Sequence, residues 1–259
     1  MERLALLAVT AHPSDELAMA GTLARYARAG VHVALVSATR EQPGPSSPEY
    51  GSGEGAHSGE ESLRCACARL GVAEVSFLGF RSSGANGGAA GLPDASACEV
   101  VRRIVHQIRR IRPQVIVTFG PDGINGHVDH VAIGKLTSQA FGAAGDLEQF
   151  PVDGGPGPFA PSKLYYFGLP EGLLKLAGIP MPGTPDMVIA ARENVVQYID
   201  LKVEAARCYG PALEPQLSRL LQLPPPELEH LLGVEFFSLA LPQPGVDDRR
   251  DPHLFAGIP

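Results

Sequence analysis

The sequence contains no tryptophan and no run of basic residues, and no apolar stretch approaches the ~20 residues of a bilayer-spanning helix. The first absence says nothing about function. The second, with a net charge of -7, argues against a generic nucleic-acid or anionic-membrane surface. The third predicts a protein without a membrane span. Met1-Glu2-Arg3-Leu4 runs straight into an apolar strand and lacks the parts of a signal peptide, so a cytoplasmic protein is expected. None of Cys65, Cys67, Cys98 and Cys208 forms a C-x-x-C pair. They read as reduced, partly buried thiols rather than metal ligands, with Cys65 and Cys67 on different sides of one helix. No G-x-G-x-x-G follows the first strand, which disfavours a metal-free Rossmann nucleotide enzyme.

What is present is an alternation of strand and helix patterns over 259 residues with 44% apolar content, enough for a sizeable core. Leu4–Thr10, Val31–Ser37, Val75–Leu78 and Gln114–Phe119 read as strands. Leu17–Ala29, Glu60–Leu70, Asp94–Arg110 and His130–Phe141 read as helices, with Gly30 and Gly71 marking two helix ends. This order predicts an α/β fold: a Rossmann-like, mostly parallel sheet with helices on both faces and doubly buried strands. The second half is less regular. Ala144–Pro161 is rich in Gly and Pro. Lys163–Leu169, Met187–Ala191 and Val234–Leu241 read as strands, and Val195–Cys208 and Pro224–Leu232 as helices. Two long loops, Gln42–Ser58 and Arg81–Pro93, leave the same sheet edge as the motifs below and are expected to border a pocket.

Ala11-His12-Pro13-Ser14-Asp15-Glu16 follows the first strand, and His127-Val128-Asp129-His130 follows the fourth. Ligands of open α/β sheets bind outside the carboxyl ends of the strands. A lone His-x-x-Asp is usually a helix cap or a surface pair. Two His/Asp clusters at two strand ends of one sheet can instead converge on one metal ion. A catalytic zinc takes three protein ligands plus water, and His12, Asp15 and His130 make such a set. A divalent ion so held acidifies water and polarises a carbonyl, the requirements for amide or ester hydrolysis. His127, near the ion but not on it, would protonate a leaving amine, with Asp129 fixing its tautomer and raising its pKa.

With these motifs the sequence resembles the PIG-L/LmbE-like zinc-dependent de-N-acetylases, whose hallmark is Ala-His-Pro-Asp-Asp-Glu followed later by His-Pro-Asp-His. Thr39-Arg40-Glu41, Leu78-Gly79-Phe80-Arg81, Thr118-Phe119-Gly120-Pro121-Asp122-Gly123, Lys202-Val203-Glu204-Ala205-Ala206-Arg207 and Leu254-Phe255-Ala256-Gly257 match further pieces. The resemblance covers nearly the whole chain. It implies one domain over 1–259, with a regular βα core over 1–143 and an extension over 144–259 completing sheet and pocket. It implies one Zn²⁺ per chain on His12, Asp15 and His130. It also implies a small-molecule substrate, an N-acetylglucosamine conjugate, with no nucleic acid as partner. A homo-oligomer is left open by the apolar Gly/Pro-rich loops of the second half.

The chain departs from the family pattern at the pocket. The family's general base, the first Asp of the Asp-Asp pair, is Ser14 here. The family's Asp-Ser-Gly after strand three is Ser82-Ser83-Gly84, an aromatic is Asn125, and a late histidine aligns with Tyr209. Arg40, Ser82 and Asn125 are candidate substrate contacts. His127, Asp129 and the substituted Ser14 are the candidate catalytic positions. With Ser14 in place, proton removal from water falls to Glu16, to His127 or to the substrate. Two functions follow: a zinc amide hydrolase of the de-N-acetylase type, or a weakly active or non-catalytic zinc and small-molecule binding homologue.

Overall fold

The structure, a computed structural model, describes residues 3–40, 59–83, 91–151, 154–176, 180–213, 215–243 and 253–259. The expected loop Gln42–Ser58 lies outside the described residues, and Arg81–Pro93 is described only over 81–83 and 91–93.

Seven strands form one sheet: β1 (Ala5–Thr10), β2 (His32–Thr39), β3 (Glu74–Phe80), β4 (Val115–Phe119), β5 (Lys163–Gly168), β6 (Ala191–Asn194) and β7 (Val234–Leu241). Their spatial order is β3-β2-β1-β4-β5-β7-β6. The first five in that order run parallel, whereas β7 is antiparallel to β5 and to β6. The helices are α1 (Ala20–Arg28), α2 (Gly59–Leu70), α3 (Ala97–Ile111), α4 (Gly123–Gly126), α5 (Val128–Ala143), α6 (Glu171–Leu176), α7 (Ile199–Arg207), α8 (Pro215–Leu220) and α9 (Pro225–Leu232).

Side chains alternate across a strand, so each parallel strand feeds two cores. Leu6, Ala8, Val33, Leu35, Val115 and Val117 face α1, α2 and α7. Leu7, Val9, Ala34, Val36, Ile116 and Leu164 face α3 and α5. Every residue of β1 is buried, as an unbroken apolar run between two helical layers requires. Burial of each such Leu or Val contributes ~1.5–3 kcal/mol.

Chain order reverses beside β1. The chain steps from β1 to β2 and β3 on one side, then returns to place β4 on the other. The crevice between the carboxyl ends of β1 and β4 is therefore the topological switch point, where an open α/β sheet binds its ligand. Both histidine motifs leave from there.

Two readings of the sequence are corrected. Met187–Ala191 is not a strand. Asp186–Val188 is a single 3₁₀ turn, with Met187 exposed, and the paired strand is Ala191–Asn194. Its apolar look misled: the edge strand that enters the sheet carries a buried Glu193, which accepts the Tyr26 hydroxyl at 2.6 Å and the Leu254 N–H at 2.9 Å. The cysteines are also not all reduced. Cys65 on α2 and Cys208 just after α7 form a disulfide, because these two helices pack together and bring the Cα atoms to 5.8 Å. Cys67 is buried in the core, on a different side of α2 from the exposed Cys65, and Cys98 is an exposed thiol.

Candidate metal centre

The turn after β1 is built by its own aspartate. Asp15 Oδ2 accepts the backbone N–H groups of Ala11 at 2.9 Å and His12 at 2.8 Å. Their donors would otherwise be stranded where the strand ends. This fixes the three-residue spacing between His12 and Asp15 and leaves Oδ1 directed at His130 Nε2, 3.2 Å away. Ser14, between them, has φ 84, a left-handed conformation. Its N–H donates to the Tyr209 hydroxyl at 2.8 Å, and that hydroxyl donates to Glu16 Oε1 at 2.7 Å.

The second motif opens α5. His127 is its N-cap, and its Nδ1 accepts the N–H of Asp129 at 3.2 Å. His130 stacks on Phe119 with ring centroids 4.1 Å apart, and its Nδ1 donates to the Gly123 carbonyl at 3.1 Å. That bond fixes the tautomer and leaves the Nε2 lone pair facing the Asp15 carboxylate.

Asp129 does not serve His127, as the sequence reading expected. Its buried carboxylate accepts His12 Nε2–H at 2.7 Å, the Ser83 N–H at 2.9 Å, the Ser83 hydroxyl, and the Ser82 hydroxyl at 3.4 Å. Burial pushes this carboxyl up, but the hydrogen bonds from His12 and Ser83 outweigh it and hold the group at about 2. Nor is the His127 pKa raised. Burial lowers it, and the neighbouring His130 and His12 rings lower it further, against the weaker pull of Asp129 and Asp15. Asp129 is turned toward β1 by the strand pairing, so its field falls first on His12.

The donor set fits a divalent cation. With Nε2 committed to Asp129, His12 Nδ1 is fully buried, has no hydrogen-bond partner and lies 3.8 Å from Asp15 Oδ2. His130 Nε2 and Asp15 Oδ1 likewise present lone pairs to each other. Such acceptors face one another stably only with a proton or a cation between them. The ligand-capable nitrogens of His12, His127 and His130 all lie within 4.8 Å of one another. Asp15 thus meets His12 through one oxygen and His130 through the other, whereas the three residues whose ligand atoms lie together are His12, His127 and His130. The Asp15 carboxyl is pushed up by burial yet stays below its usual range, because His130 and then His12 favour its charged form. The Asp15 partnership outweighs burial at His130, whose pKa is raised.

The remaining candidates are placed less directly. Ser14, Asp15 and His130 line a cavity of about 310 Å³. Glu16 is fully buried, is absent from that lining, and is pushed by burial to about 8. It faces Tyr209 and the core rather than the pocket, so it is not the replacement base. Arg40 pairs with Glu60, and its guanidinium lies 4.8 Å from the Phe77 ring centroid. Ser82 reaches Asp129 rather than standing clear of it. Asn125 lies in α4. The sequence reading passed over Ser83 as a partner of Asp129. The Tyr209 link between Ser14 and Glu16 went unread as well, although Tyr209 departs from the family pattern.

The 1D-myo-inositol 2-acetamido-2-deoxy-alpha-D-glucopyranoside deacetylase of Thermobifida fusca is 31% identical, over 95% of each chain. A deacetylase of the same name from Saccharopolyspora erythraea is 34% identical over 79% of this chain and 76% of its own. The crystal structure of the conserved protein TT1542 from Thermus thermophilus superposes with a TM-score of 0.66 at 25% identity, covering 94% of this chain and 97% of that one. Residues 7–141, which hold both histidine motifs, match the family described as PIG-L, GlcNAc-PI de-N-acetylase. With a sheet, a switch-point site and relatives that agree along nearly its whole length, the chain belongs to the PIG-L family.

Proposed function

We propose that the chain is a zinc-dependent amide hydrolase of the de-N-acetylase type, acting on a small N-acylated amino-sugar conjugate. One observation carries the reading: the buried Nδ1 of His12 and the Nε2 of His130 both face the carboxylate of Asp15 at the switch point. These three residues would hold one zinc per chain. When bound, the ion acidifies water and polarises the amide carbonyl.

The protein's own groups supply the rest. Asp129, braced by Ser83, holds the His12 ring in one tautomer. Gly123 does the same for His130. His127 stands at the N-terminus of α5, its ring centroid 5.0 Å from that of His12 and 4.9 Å from that of His130. To take the proton from the attacking water, this imidazole must release the Asp129 N–H that its Nδ1 accepts; the imidazolium so formed then returns the proton to the departing amine. It thereby covers both proton transfers in a site whose family base position is Ser14. Arg40, Ser82 and Asn125 follow the carboxyl ends of β2, β3 and β4, the sheet edge from which a substrate is reached. They are the proposed sugar-side residues.

The test is release of free amine from 1D-myo-inositol 2-acetamido-2-deoxy-alpha-D-glucopyranoside, the compound named for the relatives, and from other N-acylglucosaminides, with zinc content measured. Zinc near one per chain is expected, lost in large part in His130→Ala together with turnover. Unchanged zinc in that variant removes the ligand assignment. The second reading, zinc and ligand binding without turnover, is favoured by one residue, Ser14. It wins if the zinc-loaded protein binds such amides and cleaves none.

A further inference from the structure

The cavity beside the candidate metal centre is walled by hydrocarbon. Ser14, Asp15 and His130 supply polar groups to its wall. Leu17, Phe167, Leu169, Leu213, Leu217 and Leu232 converge on it from the turn after β1, from β5 and its exit, from the 3₁₀ turn Gly210–Ala212, and from α8 and α9. Lys202 is the cation on this wall, and it is already spent: its Nζ is buried, donating to Glu235 at 2.6 Å and to the Leu232 carbonyl at 3.1 Å. A sugar placed here would strip water from its hydroxyls and find few partners for them. An alkyl chain would lose nothing.

Orientation follows from the proposed reaction, on which this inference rests. The amine must leave toward His127, which returns its proton. His127 is not on the cavity wall, whereas Asp15 and His130 are. The carbonyl substituent opposite the amine therefore points into the leucine-lined space. An acetyl group would place a single methyl there. The cavity of about 310 Å³ is far larger than that methyl requires.

We propose that this cavity is an acyl-chain subsite, and that the chain removes acyl groups longer than acetyl from amino-sugar amides in preference to acetyl.

Two measurements on the zinc-loaded protein test this. The first is binding of straight-chain carboxylates, the products of such a reaction, from acetate to octanoate, by calorimetry. Affinity should rise about threefold to fourfold for each methylene until the cavity fills. The second is kcat/KM on N-acetyl-, N-hexanoyl- and N-octanoylglucosaminides, which should rise in the same order. Ala18→Phe and Leu217→Trp, two independent substitutions on the wall, should each lower the octanoate-to-acetate affinity ratio at least tenfold. A flat affinity series overturns the subsite, even if acetamides are cleaved. A rising series with no amide cleaved keeps the subsite and removes the hydrolase reading. A rising series unaltered in both folded variants overturns the placement of the chain in this cavity.

Discussion

At the scale of single residues, the site turns on what stands next to Asp15. Ser14 adopts φ 84, a conformation that Asp tolerates better than most residues. Ser14→Asp should therefore be accepted by the backbone and place a carboxylate where the family carries its base. It should raise kcat by at least ~10-fold on a substrate the pocket accepts, within the range for general-base catalysis. High wild-type turnover that the aspartate reduces would show His127 to be a sufficient base on its own. Asp129→Asn probes the layer behind the ligands. The amide can no longer enforce the His12 tautomer, and its NH₂ confronts the Ser83 N–H that now donates to the carboxylate. Zinc affinity, measured by competition with a chelator, should fall ~10–100-fold; an unaltered affinity would refute the role given to Asp129. The three proposed ligands were legible in the sequence because His-x-x-Asp closes a local turn and His-x-Asp-His opens a helix. The partner of Asp129 was not. Which histidine it meets depends on β1 lying beside β4, a contact between residues 117 apart in sequence.

At the scale of elements, the regular half was readable, and in the second half the longer elements Lys163–Gly168, Ile199–Arg207, Pro225–Leu232 and Val234–Leu241 were too, whereas the short ones were not. Strands β1 and β4 announce themselves as buried apolar runs, and Gly30, at φ 85, ends α1 where an L side chain would be strained. The turn Asp15–Met19 is 3₁₀ rather than the start of a long α-helix, because the aspartate is committed backward to the strand end. The elements missed after β5 are α6 and α8, six residues each and too short for periodicity to show. One element contact bears directly on the site. Gly134 lets α5 lie against the end of β4, and a Cβ there would sit 2.3 Å from the Phe119 carbonyl oxygen. Gly134→Ala should push α5 away from the strand, carrying His127 and His130 with it. The expected cost is ~1–3 kcal/mol of stability, read as a lower urea midpoint, together with weaker zinc binding. Destabilisation without loss of zinc affinity would mean that α5 is held in place by its other contacts.

At the scale of the whole molecule, the sheet draws strands from both parts of the chain: β5, β7 and β6 continue the surface begun by β1 to β4. The cavity is assembled in the same way, from the turn after β1 and from α7, α8 and α9. No helix among the described residues is long and apolar enough to cross a membrane. A covalent tie joins the two parts, the disulfide between Cys65 and Cys208, 143 residues apart. Sequence could not reveal it, because neither cysteine belongs to a motif and their proximity depends on α2 packing against α7. Closing so long a loop restricts the unfolded chain more than the folded one, so the bridge should contribute about 2–4 kcal/mol to stability. Tyr209 follows Cys208 directly and carries the hydroxyl that meets Ser14 and Glu16, so the tie also anchors one wall of the site. Protein kept without added reductant and protein treated with a strong dithiol should therefore differ in urea midpoint, the reduced form being less stable. The double variant Cys65→Ser, Cys208→Ser should match the reduced form and ignore the dithiol. Equal midpoints for all three would show that α2 and α7 are held by packing alone and that the bridge adds nothing to the fold.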